Sequence, residues 1–109
     1  MIEFTAAGSP RAVARSLEEY ALGQGNVTAL VVPWESDGVT LSMAVTSVRG
    51  DGWAIEHVNL GTITLTAVAD DRTQVAIAAG DPHDPEPQKL AALFERFARQ
   101  VQDRFAAGH

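Results

Sequence analysis

One hundred and nine residues, 46% of them hydrophobic and none of them cysteine, suffice for one small domain with a modest core. The missing cysteines exclude disulfide frameworks, thiolate zinc sites, thiol nucleophiles and CxxC redox chemistry together. Fourteen acidic against eight basic residues give a formal charge of −6, and with Lys89 as the only lysine there is no polybasic arm for nucleic acid or anionic lipid.

The chain opens with Ile2 to Ala7, whose Ile2, Phe4 and Ala6 share a side at period two, which predicts a first strand. Gly8-Ser9-Pro10 then predicts a helix start, with the Ser9 hydroxyl accepting from a free backbone amide and Pro10 at a position that needs no N–H. Val13, Leu17, Tyr20 and Ala21 follow at helical spacing, Arg11, Arg15, Glu18 and Glu19 take the other side, and Gly23 and Gly25 end the helix.

Five further strands are expected. Val27 to Trp34 is apolar on both parities, and the inward set is read as Leu30, Val32 and Trp34, leaving Ala29 and Val31 outward. Glu35-Ser36-Asp37-Gly38 turns the chain into Val39 to Val48, where Val39, Leu41, Met43 and Val45 alternate with Thr40, Ser42, Ala44 and Thr46. The Asp51-Gly52 pair predicts a hairpin into Trp53 to Val58, with Trp53, Ile55 and His57 on one face. Leu60-Gly61 marks a break or a bulge before Thr62 to Ala69, and Asp70-Asp71-Arg72 turns into Thr73 to Ala79, with Val75 and Ile77 inward. Asp84-Pro85-Glu86 then starts a helix of about 20 residues, with Leu90, Leu93, Phe94, Phe97, Val101 and Phe105 down one face.

Hairpin-length turns make the strands antiparallel neighbours, and an antiparallel sheet with a Thr-rich wet face needs cover on its apolar face. The expected architecture is therefore α+β, in the order β-α-β5-α, a curved antiparallel sheet packed on a long C-terminal helix in one helix-grip-like domain spanning 1–109. Leu60-Gly61-Thr62-Ile63-Thr64-Leu65-Thr66, the turn Asp70-Asp71-Arg72-Thr73, the strand Val75 to Ala79 and the helix Leu90 to Phe105 resemble the C-terminal half of START/polyketide-cyclase-like (SRPBCC) helix-grip proteins. That resemblance covers roughly the last half of the chain and implies a sheet wrapped around the last helix, often with a cavity for an apolar small molecule. The chain departs from the family in its short length and in carrying one helix, where two are usual, between the first two strands. No catalytic motif is universal in that family, so no catalytic residue is carried across.

Candidate site residues gather where such a cavity would lie. His57 could orient a ligand carbonyl or act as a general base, or else be a histidine at a strand end bonded to backbone or solvent. Trp34 and Trp53 share parity with core residues and could stack on a flat ligand, and with Met43, Ile55, Phe94 and Phe97 they complete the candidate ligand-binding set. Plain core packing is the favoured account of the tryptophans and of Met43. Asp81-Pro82-His83-Asp84-Pro85-Glu86 collects three carboxylates and an imidazole, but it reads as a rigid loop at a helix start, so neither metal nor cofactor is expected. Gly8-Ser9-Pro10-Arg11 reads as a cap and not as an anion site. No serine lies in a GxSxG setting.

The expectation from sequence is a non-enzymatic module that binds a small apolar ligand or a protein partner. The alternatives are a self-associating interaction domain with a packed core and a small cyclase- or isomerase-type enzyme using His57. The double apolar parity of Val27 to Trp34 suggests a homodimer through that strand, unless the first helix folds over the face in question. No nucleic acid or membrane partner is expected. No apolar run reaches the roughly 20 residues needed to span a bilayer, and Met1-Ile2-Glu3-Phe4 lacks the order of a signal peptide, so a microbial cytoplasm is the default location.

Overall fold

The computed structural model describes residues 2–24, 27–31, 40–49, 56–80 and 87–106, with side chains outside that description at 48, 49, 56–58 and 87–90. Its elements are β1 (Ile2–Ala7), α1 (Pro10–Gln24), β2 (Val27–Val31), β3 (Thr40–Arg49), β4 (Glu56–Ala69), β5 (Arg72–Ala79) and α2 (Pro87–Phe105). The strands form one antiparallel sheet of order β1-β5-β4-β3-β2. The first strand crosses over to lie beside the last, which leaves β1 and β2 as the two edges. The α+β class and the packing of an antiparallel sheet against the C-terminal helix are therefore those expected.

Both helices lie on one face of the sheet. α1 packs chiefly on β2, and α2 chiefly on β1, β4 and β5. The cause is visible in the alternation: Leu41, Met43 and Val45 of β3, Ile63 and Leu65 of β4, and Val75 and Ile77 of β5 are buried. They meet Val13, Leu17 and Ala21 of α1, and Phe94, Phe97, Ala98 and Val101 of α2. Tyr20 joins the two helices, its ring stacked 6.1 Å from Phe97 and edge-on 5.8 Å from Phe105.

Two of the strand assignments are corrected. The described part of the strand expected from Trp53 and the strand expected from Thr62 form a single β4, Glu56–Ala69, so among the described residues the sheet has five strands and not six. The Leu60-Gly61 feature is a bulge: Gly61 pairs with Val45 and Asn59 with Thr46, leaving Leu60 as the extra residue. Leu60 and Gly61 are both buried, whereas Asn59 and Thr62 are exposed. The second correction concerns β2, whose inward residues are Val27 and Ala29, at 3% and 1% exposure, while Leu30 is 57% exposed. With both parities apolar, period two gives no preferred face, and α1 decides by covering Val27 and Ala29. Val32 to Val39 lie outside the described residues.

The connection into α1 follows the expected cap. Ser9 Oγ accepts from the Ala12 amide at 3.2 Å, and the Ser9 carbonyl accepts from Val13 at 2.9 Å. Gly8 takes φ +111°, a conformation that L side chains rarely adopt. Its amide donates to the Asp71 carbonyl at 2.6 Å, and its carbonyl accepts from Thr73 Oγ1 at 2.8 Å. Thr73 is fully buried, so this bond ties the β1–α1 turn to the β4–β5 hairpin. Thr73→Val, which keeps shape but loses the donor, is expected to cost about 1–2 kcal/mol. Chemical denaturation with an unchanged slope is the measurement, and a loss below a few tenths would show the bond to be dispensable.

Candidate functional site

The residues expected to line a cavity separate into two groups. Met43 is fully buried, and Phe94 and Phe97 are 4% and 2% exposed, so these three belong to the packed core. Trp34, Trp53 and Ile55 lie outside the described residues, as does the side chain of His57. The β3–β4 register pairs His57 with Val48, whereas without the extra residue at Leu60 it would oppose Arg49, which shares the parity of buried Val45 and Ser47. The Asp81–Glu86 segment also lies outside the described residues.

What the structure does bring together is a groove between the β1–β5 edge and α2, of about 670 Å³. Its apolar lining comes from Ile2, Ile77, Ala79, Ala91, Phe94 and Ala98. The polar lining comes from Glu95, Arg99, Gln102 and Asp103 on α2. Helical spacing explains the arrangement. Ala91, Phe94, Ala98 and Gln102 recur at intervals of three and four, so they form one ridge along the helix facing the sheet edge. Alanine at 91 and 98 leaves room that longer side chains would close.

The Arg99 guanidinium donates to Glu95 Oε1 at 2.8 Å, one turn earlier on the same helix. Both side chains are well exposed, so the pair fixes orientation more than it adds stability. With Arg99 engaged, the polar lining offers donors and acceptors without an uncommitted positive charge. Phe94 serves the groove and the core together. Its ring sits in the space left by Gly61, where a Cβ would lie 2.5 Å from Phe94 Cζ and closer still to the Ala78 carbonyl oxygen. The bulge thus positions the aromatic floor of the groove.

A second, more polar depression of about 440 Å³ lies between the C-terminal parts of the two helices, beside Tyr20, Gln24 and Arg104. There the Arg104 guanidinium stands 5.3 Å from the Tyr20 ring centroid, and the Tyr20 hydroxyl donates to Gln100 at 3.4 Å. These contacts engage Tyr20 with Gln100 and Arg104.

Sequence reasoning found Phe94 but not the groove, because a groove beside α2 depends on β1 joining the sheet next to β5. Among the described residues no group of His, Asp and Glu is placed to hold a metal ion, and no helix is long and apolar enough to cross a membrane. Comparison of the chain with protein-family models, curated proteins and solved structures finds no match. The groove's own geometry is thus the basis on which its chemistry is judged.

Proposed function

We propose that this protein is a non-enzymatic binding module of helix-grip type, and that its ligand is a small, elongated apolar molecule with an uncharged polar head. The observation that carries the reading is the groove beside α2, whose 670 Å³ lies within the roughly 300–1,000 Å³ range of small-molecule sites. The apolar body would lie along Ile77, Phe94 and Ala98, and the head would exchange hydrogen bonds with Gln102 and Asp103. An uncharged head suits a lining in which Arg99 already has its carboxylate. The helix-grip assignment is supported by the crossing of β1 to the side of β5 while α2 lies across the inner face.

The test is titration with the neutral fluorescent probe N-phenyl-1-naphthylamine. Saturable enhancement at micromolar concentration is expected from the native chain. Ala91 lines the groove from an exposed helix position, so Ala91→Trp should fill the site while leaving the thermal midpoint within a few degrees of native. That variant is expected to weaken probe binding at least about tenfold. A flat titration, or binding indifferent to Ala91→Trp, sinks the reading.

A further inference from the structure

The face of the sheet opposite the helices has a composition unlike the rest of the surface. Thr64, at the middle of the central strand, pairs with Ser42 on one side and Ala76 on the other, and Thr62 pairs with Ala44 and Ala78. Toward the β2 edge stands Leu30, 57% exposed. Among the described residues the charges on this side lie only at its margin, Glu3 on edge strand β1 and Arg72 beside the hairpin turn. Inside that margin stand about a dozen described positions, from Thr28 on β2 to Thr5 on β1, which at the chain's 20% content of charged residues would carry about two charges and carry none. Here the charged side chains stand instead on the helices, among them Arg11, Arg15, Glu95 and Arg99, and in the β4–β5 turn.

We propose that this face binds a second copy of the chain, the two sheets stacking back to back about a twofold axis. Three considerations select that occupant. A chain of charge −6 repels its own copy, and back-to-back stacking separates the two helix layers by about 30 Å, several Debye lengths at physiological salt. The face spans about 600 Å² from strand spacing and rise, so two copies bury about 1,200 Å², the lower end of stable specific interfaces. Thr, Ser and Ala side chains are short enough to let sheets approach to the usual distance of about 10 Å, and a face that is uncharged inside its margin is complementary to itself there. The contact is independent of the groove, which opens on the helix side of the sheet.

Light scattering at several hundred micromolar protein is expected to give twice the chain's mass of 11.6 kDa. Thr64→Lys sets two ammonium groups into the contact and is expected to raise the dimer dissociation constant about a hundredfold or more. Leu22→Lys, at the 70% exposed apolar residue of α1, is expected to leave the dimer intact. Circular dichroism verifies the fold of each variant. Should Thr64→Lys not fold, a mixed dimer of labelled and unlabelled native chains decides through methyl contacts between copies at Thr64 and Ala76. A monomer at all concentrations overturns the proposal. So does a dimer that survives Thr64→Lys, that Leu22→Lys dissolves, or that lacks those methyl contacts, since each of these places the contact elsewhere, including edge pairing through β2.

Discussion

Replacing Gly61 with alanine is expected to destabilise the protein by about 3 kcal/mol, seen as a lowered denaturant midpoint at unchanged slope and a thermal midpoint down by about 10 °C. The added methyl would meet two neighbours at once, the Phe94 ring and the backbone carbonyl of Ala78. The ring can turn or shift. The carbonyl cannot shift as easily, because Ala78 is held in the β4–β5 ladder opposite Thr62, with the Gly61–Ala79 pair beyond it. This difference gives the experiment a second reading. In the Gly61→Ala/Phe94→Ala double variant the ring conflict disappears but the carbonyl conflict remains, so the losses should fall short of additivity without vanishing. Full additivity would mean that the two residues do not share a space. Because Phe94 also floors the groove, Gly61→Ala is further expected to weaken N-phenyl-1-naphthylamine binding in whatever fraction stays folded.

Phe97→Ala is expected to cost about 3–5 kcal/mol, a large part of the roughly 5–15 kcal/mol that holds a domain of this size together. The side chain is 2% exposed and stacks on Tyr20, so its loss leaves a cavity where α1, α2 and the sheet converge. Tyr20→Phe is the informative companion. It keeps both ring contacts and removes only the exposed 3.4 Å hydrogen bond to Gln100, so the change should stay below about 1 kcal/mol. If instead Tyr20→Phe cost as much as Phe97→Ala, the polar bond and not ring packing would be joining the helices. Equilibrium denaturation of the two variants separates these cases.

The contrast between β3 and β2 shows which parts of this fold the residues make legible. In β3, the large apolar residues Leu41, Met43 and Val45 alternate with the small or polar Thr40, Ser42 and Ala44, so the buried face follows from the chain alone. In β2 nearly every residue is apolar, and only the placement of α1 turns Val27 and Ala29 inward and Leu30 outward. The helix starting after Ser9 and the hairpin at Asp70-Asp71 were equally readable, since a cap and a turn are local events. The bulge could be sensed at Leu60-Gly61, but its effect on the pairing of His57 depends on which β3 residue each β4 residue opposes. The groove was least accessible of all. It needs Ile2, Ile77 and Phe94 in one place, and no local spacing brings together residues so far apart along the chain.

That distance also has a consequence in time. Thr5 and its partner Gln74 are 69 residues apart, and β1 has no other strand to pair with until β5 exists. Loop-closure entropy therefore opposes early docking of β1, and the β3–β4–β5 meander is the natural nucleus. On a ribosome adding about 5–20 residues per second, the strip of Ile2, Phe4 and Ala6 stays without its partner for several seconds after it is made. The bridge between Ala6 and Ala106 closes later still, when the end of α2 reaches the outer side of β1. Among the described strands, β1 is thus expected to be the last to find its place in the sheet.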